Sequence, residues 1–215
     1  MKNVVIFDFD GTLADTLEIL LQITNGLADE FGYRAATTEA EIAALRHLNS
    51  WQIIKQSGIS IFKLPFLLRR VRIELEKELK NVQLFPQIKP VLLELKQQDY
   101  RLGIITSNSE EIVRSVLLRE NLISTFEFIY SGTSLFGKHK VINRFLNQES
   151  LESNLVIYVG DETRDIEAAQ KSQIKMIAVA WGFNSSDILK SYHPDYLINH
   201  PQEIWEVLEK KLVVN

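Results

Sequence analysis

MKNVVIFDFDGTLADT, Met1 to Thr16, is the stretch from which the fold is read. The apolar run Val4 to Phe7 is too short for a helix and rich in β-branched side chains, so it reads as a buried strand. Asp8 and Asp10 follow at once, one residue apart, and extended backbone would project both to one side before Gly11-Thr12 turns the chain. Two carboxylates at the end of a buried strand repel each other, and the pair persists only if a cation, a donor cluster or a shared proton compensates. A hard, oxygen-ligated ion such as Mg²⁺ is the simplest compensation, because it takes one or two carboxylates and leaves room for phosphate oxygens. An ordinary Asp-Gly turn would explain the composition but not an acid pair placed directly after a hydrophobic strand.

The pattern downstream of this strand changes style. Leu17, Leu20, Leu21, Leu27, Ala28 and Phe31 have the spacing of one helical face, with Asp15 and Glu18 reading as its N-cap and capping-box partner and Gly32 as its end. Thr38 with Glu41 opens a short helix through Leu45, and Ser50 opens another over Trp51 to Lys55 that Gly58 closes. Leu64, Leu68, Val71, Leu75 and Leu79 mark a longer helix to about Lys80, with Pro65 in its first turn. From Pro86 onward, helices and strands alternate: helix 87–98, strand Arg101 to Thr106, helix 110–120, strand Phe126 to Tyr130, helix 138–147, strand Leu155 to Val159, helix 163–172 and strand Met176 to Ala180. Tyr196 to Ile198 reads as an edge strand, and 202–212 as a closing helix. Such alternation predicts an α/β fold, a Rossmann-like parallel sheet covered by helices. The first strand has only that sheet to join. The expected organisation is a core of residues 1–15 and 85–215 interrupted by a small all-helical domain, 16–84.

Bulk properties narrow the classes. The chain of 215 residues is 46% hydrophobic and 24% charged, ordinary for a globular protein. A net charge of −4, with no long run of Lys or Arg, argues against nucleic acid as the main partner. Without cysteine there is no disulfide framework, thiolate nucleophile or cysteine-ligated zinc. The amino-terminal apolar run is too short for a signal peptide and no stretch has the length of a membrane span, so no membrane partner is expected and the cytoplasm is the default location. Oligomeric state, monomer or homodimer, is not legible.

Ligands of open α/β sheets bind beyond the carboxyl ends of the strands, so those ends hold the candidate residues. Thr106, Ser107, Asn108 and Ser109 lead from a strand into a helix, where hydroxyls and amides suit a phosphate, while Ser109 itself reads as the helix cap. Lys138 or Lys140, past the strand ending at Tyr130, would neutralise an anion. Asp161 follows Gly160 at the next strand end, and Asp165 falls in the first helical turn, where the helix dipole alone would favour it.

These residues carry a resemblance to a known family. DFDGTLADT resembles the first signature of the haloacid dehalogenase superfamily, IITSNS its second, Gly137-Lys138 its third and GDETRDIEAA its fourth. The chain is similar in particular to subfamily I members with a helical C1-type cap, of the phosphoglycolate phosphatase kind. The resemblance implies a Mg²⁺-dependent phosphatase with Asp8 as nucleophile and Asp10 as general acid and base. It further implies Thr106 and Lys138 on the phosphoryl oxygens, metal held by Asp8, the Asp10 carbonyl and Asp161, and Asp165 in support. From their positions, Thr12, Ser107, Asn108 and Arg46 are expected as substrate contacts. His139 stands where Pro often follows the motif lysine, which leaves Lys140 as a substitute. Glu162, where Ser or Thr is usual, either adds a water-mediated metal contact or faces solvent.

The expected reaction is hydrolysis of a small phosphate monoester through an aspartyl-phosphate. Phosphoglycolate-like acids, sugar phosphates, nucleotides and pyrophosphate all fit the implied site. A sugar phosphomutase of the same family and a phospho-accepting signalling domain are the alternatives, and a true dehalogenase would have no use for Asp10. The inserted helices are expected to close over the site as a lid. Of their basic residues, Arg34, Arg46, His47, Lys55, Lys63, Arg69 and Arg70, the pair Arg46-His47 between two short helices is expected to face it.

Overall fold

Strand β1, Val4–Phe7, is buried along its whole length and lies at the centre of a six-stranded sheet. The structure is a computed structural model that describes residues 3–132 and 137–213. Its sheet is completed by β4 (Arg101–Ile105), β5 (Phe128–Tyr130), β6 (Val156–Gly160), β7 (Lys175–Val179) and β8 (Tyr196–Ile198), in the order β5-β4-β1-β6-β7-β8. Every pairing is parallel. β1 is held on one edge in the register Val4↔Arg101 to Phe7↔Ile104 and on the other from Val4↔Val156 to Phe7↔Val159. The carboxyl ends of β4, β1 and β6 therefore finish side by side.

The period-two alternation of the strands builds two cores. Val5, Phe7, Leu102, Ile104, Ile157, Val159, Ile177 and Val179 face one way, where α5 (Ile88–Gln97), α6 (Glu110–Arg119) and α10 (Glu203–Val213) cover them. Val4, Ile6, Ile105, Val156, Tyr158, Met176 and Ala178 face the other way, under α7 (Lys138–Gln148), α8 (Thr163–Lys171) and α9 (Ser186–Ser191). Each such fully buried Val, Leu, Ile, Phe or Met contributes about 1.5–3 kcal/mol of transfer free energy, so the sheet holds most of the molecule's core.

Between β1 and β4 the chain makes a helical excursion. It departs through β2 (Ala14–Asp15) and returns through β3 (Gln83–Leu84), which pair antiparallel as Ala14↔Leu84 and Asp15↔Gln83. Beyond this neck lie α1 (Leu17–Phe31), α2 (Glu39–Leu45), α3 (Ser50–Ser57) and α4 (Leu64–Lys77), with α1 packed on α4 around a small cluster of Leu27, Ile59 and Leu67. Thr38 and Glu41 form the expected capping box, and Gly32 and Gly58 end their helices in the left-handed region.

Several local readings are corrected. Asp15 is not a helix cap: it pairs with Gln83 in β2, and Thr16 takes the N-cap position and turns its hydroxyl to Asp10 instead. Asn49, not Ser50, caps α3, because its side chain and Gln52 exchange reciprocal hydrogen bonds with the backbone. α4 stops at Lys77 rather than near Lys80. α9 lies in a stretch where no helix was expected. Among the described residues, no helix is long and apolar enough to cross a membrane.

Candidate active site

Asp8 is the first residue past β1. Its amide donates to Val159 O at 2.9 Å, which carries the sheet register onto the acid. Phe9 N then donates to Asp8 Oδ1 at 2.8 Å and fixes the carboxylate's orientation. Gly11 follows at φ +72°, a conformation open to glycine without strain, and a Cβ there would lie 2.2 Å from Asp161 Oδ2. The turn thus brings the two ends of the site into contact through a missing side chain. Thr12 completes it, donating to Asp161 Oδ1 at 2.8 Å, so its hydroxyl braces that acid from within the core.

Lys138 opens α7 and is buried, whereas Lys140 is exposed. Its Nζ donates to Asp8 Oδ2 and, at 2.6 Å, to Asp165 Oδ1. Asp165 in turn accepts from Glu162 N at 3.1 Å, so the acid both caps α8 and grips the lysine. Carboxylate oxygens of Asp8, Asp161 and Asp165 all lie within 4.8 Å of one another. Asp10 stands in a separate environment. It accepts from Thr16 Oγ1 at 3.0 Å and from Asn108 Nδ2 at 3.0 and 3.1 Å. Asn108 is positioned by its own amide, which donates to the Thr106 hydroxyl at 3.1 Å. Ser109 caps α6 through Ile112 N.

Burial dominates the electrostatics. It pushes Asp8 up to about 6, with Lys138 opposing and Asp165 adding to the rise. It pushes Asp161 well above the usual carboxylate range, and Glu162, Asp165 and Asp8 push the same way. Asp10 is also raised by burial, against the pull of the Thr16 and Asn108 hydrogen bonds. Burial alone would depress Lys138, but Asp165 and Asp8 together outweigh it and hold the lysine charged. Lys138 thus binds two of three buried acids whose oxygens lie within 4.8 Å of one another. That donor set, hard oxygens with negative charge in excess, fits a divalent cation held by Asp8 and Asp161 on the side that Lys138 does not occupy.

The helical segment meets this rim largely through side chains bonded to main-chain carbonyls. Arg46 donates from Nε to Phe183 O at 3.2 Å and from Nη2 to Gly182 O at 2.9 Å. His47 Nδ1 meets Ser185 Oγ at 2.8 Å, and Ser185 N donates back to Arg46 O. The loop they grip is the one that grips Asp161: Phe183 N donates to Asp161 Oδ2 at 2.7 Å, and a Cβ on Gly182 would lie 2.3 Å from the same oxygen. Arg46, expected as a substrate contact, is thus bonded to a loop. Ser107 likewise offers its carbonyl to Arg72 Nη2 at 2.9 Å. Arg72, Arg164 and the 182–185 loop were not singled out in the sequence. An Arg two residues after Glu162 reads as surface helix until the helix start is seen to point at the strand ends.

Comparison with known proteins shows the family and the fold. The family model for haloacid dehalogenase-like hydrolases matches residues 5–179. A phosphoglycolate phosphatase from Synechococcus elongatus is 36% identical over 204 residues, covering 95% of this chain and 96% of that protein. A pyrophosphatase from Oceanobacillus iheyensis is 24% identical over 205 residues, covering 93% and 94%. A haloacid dehalogenase-like family hydrolase from Streptococcus pneumoniae has the same fold, with a TM-score of 0.76 at 24% identity over 96% of this chain and 98% of that one. By its strand-end acids, its sheet and its likeness to phosphatases along nearly its whole length, the chain belongs to the haloacid dehalogenase-like hydrolase family.

Proposed function

We propose that this hydrolase is a Mg²⁺-dependent phosphatase that cleaves a small phosphate ester through an aspartyl-phosphate on Asp8. The observation that carries the reading is the division of labour among buried acids: Asp8 is locked to Lys138, while Asp10 keeps a separate set of donors. Two carboxyls in different environments serve two different tasks. Asp8 Oδ forms the bond to phosphorus as the ester bond breaks, and Asp10, whose burial favours the protonated form, delivers its proton to the departing oxygen. Asp10 then takes a proton from the water that attacks phosphorus, and Asp8 is released as the phosphate leaves. Lys138 and the Thr106 hydroxyl stabilise the phosphoryl oxygens, and Asn108 holds Asp10 in place. Asp8, the Asp10 carbonyl and Asp161 would hold Mg²⁺, which when bound screens the repulsion between the nucleophile and a dianionic substrate.

Residues 16–84 act as a cap domain that excludes water from the rim, docked through Arg46, Arg72 and Ser50. The substrate is a small phosphorylated acid or a pyrophosphate, since relatives named for both activities align along nearly the whole chain. Phosphate release from p-nitrophenyl phosphate and 2-phosphoglycolate tests the reading. Release is expected to require Mg²⁺, to stop with chelator, and to fall at least about 1,000-fold in Asp8→Asn with unchanged circular dichroism. Turnover retained by that variant would contradict the assignment.

A further inference from the structure

Arg164 lies in the first turn of α8, and its side chain is nine-tenths buried. Its Nε and Nη2 grip the Glu162 carboxylate at 2.9 and 2.5 Å. That pairing occupies one edge of the guanidinium and leaves Nη1 at the far corner, buried and without an acceptor. A charged donor withdrawn from water and left unmatched is unfavourable, and native structures keep such groups where a ligand supplies the missing partner.

The placement of this nitrogen narrows the ligand. Arg164 immediately precedes Asp165, whose carboxylate binds Lys138, and its partner Glu162 immediately follows Asp161, so the guanidinium stands at the helix start that meets the strand ends. It also lies at the seam with the cap, because Ser50 Oγ at the start of α3 donates to Glu162 Oε2 at 3.3 Å. Lys138, buried as well, has its Nζ bound to both Asp8 and Asp165. Arg46, from the cap, binds the Gly182 and Phe183 carbonyls. The transferring phosphoryl group is served by Lys138 and Thr106 under the proposed mechanism. A further cation at the seam therefore matches a second negative charge, carried by the leaving part of the substrate. Phosphoglycolate and pyrophosphate, the substrates in the names of the two relatives, share that feature and differ in its chemistry, carboxylate in one and phosphate in the other.

We infer that Arg164 Nη1 binds the second anionic group of a short two-anion substrate and so sets the enzyme's preference for such substrates over simple monoesters. The inference rests on the phosphatase reading and deepens it. Glu162 holds the guanidinium plane in one orientation, so the free corner is preorganised and little rotamer freedom is lost on binding.

Steady-state kinetics of the Mg²⁺-loaded wild type, Arg164→Met and Arg164→Lys on 2-phosphoglycolate, pyrophosphate and p-nitrophenyl phosphate test it. Wild type is expected to favour one of the two-anion substrates. On that substrate Arg164→Met loses about 10- to 100-fold more kcat/KM than on p-nitrophenyl phosphate, mostly through KM. Arg164→Lys restores part of the difference, because it returns the charge without the planar fork. Which substrate carries the difference tells a carboxylate site from a phosphate site. Thermal unfolding checks each variant, and if Arg164→Met does not fold, the same differential is read from Arg164→Lys. Equal losses on all three substrates would overturn the inference, since they would make Arg164 a brace for Glu162 or a phosphoryl ligand. A wild type as active on p-nitrophenyl phosphate as on both two-anion substrates would overturn it too, while leaving the phosphatase reading standing. A wild type inactive on all three would defeat that reading and the inference together.

Discussion

The rim of the sheet and the helical segment above it are held in contrasting ways. At the rim, Asp8, Lys138, Asp161 and Asp165 are all but completely buried, and Lys138 binds Asp8 and Asp165 side chain to side chain. The helical segment has a small apolar cluster of its own, exposes Phe62 and Phe66, and docks on the core largely through side chains that meet main-chain carbonyls. Buried charge pairs fix geometry because each partner is indispensable to the other, whereas a carbonyl acceptor is available at any residue and each such bond contributes only about 0.5–1.5 kcal/mol. The buried acids and Lys138 are thus held by contacts specific to each partner, and the helical segment by contacts of a kind that many residues can supply.

The sharpest way to break this comparison is to remove the lysine that joins two of the acids. Lys138→Met leaves Asp8 and Asp165 facing each other in a buried site, and about 3–5 kcal/mol of stability is expected to be lost with nearly all activity. Urea denaturation of the metal-free protein reads the stability. A loss under about 1 kcal/mol would mean that the rim is no more tightly determined than the cap.

A gentler test uses the buried charge itself. Asp8 has a folded-state value of about 6, above its ordinary 3.8, so the folded wild type binds more protons than the unfolded chain between those limits and loses stability as pH rises through them. Asp8→Asn has no such dependence. Its stability relative to wild type is expected to improve by on the order of 2 kcal/mol from pH 4 to pH 7, and to change little above that. Denaturation curves at a series of pH values, with chelator present, check the sign.

The smallest effect belongs to the seam. Arg46→Ala removes two bonds to the 182–183 carbonyls, and kcat/KM is expected to fall about 3- to 10-fold with a stability loss of about 1–2 kcal/mol, below that of Lys138→Met. Faster proteolytic cleavage of the helical segment would accompany it. An Arg46→Ala defect as large as that of Lys138→Met would erase the distinction between the two regions.

Much of the sheet could be read from the chain because its strands are continuous apolar runs set between helical periodicities. Asp8 and Asp161 stand out for the same reason, as charges that end such runs. The pairing of β2 with β3 was invisible, since two-residue strands have no periodicity and their partners, Ala14 and Leu84, are distant in sequence. Asp15 was misread for this reason: the residues around it satisfy a helix-capping pattern, and only the long-range pairing overrides it. The 182–185 loop has no compositional mark, yet its close approach to Asp161 depends on the absence of a side chain at Gly182. The bonds of Arg46 to the Gly182 and Phe183 carbonyls were not legible, because those acceptors lie more than a hundred residues away.

The most direct measurement is made on Asp8. Enzyme turning over a substrate with a radiolabelled phosphoryl group would be quenched in acid and mapped by peptide. The account predicts a label that is stable in acid, labile to hydroxylamine, carried by the peptide containing Asp8, and absent from Asp8→Asn. Steady release of phosphate with no label on that peptide, or with label on another residue, would contradict it.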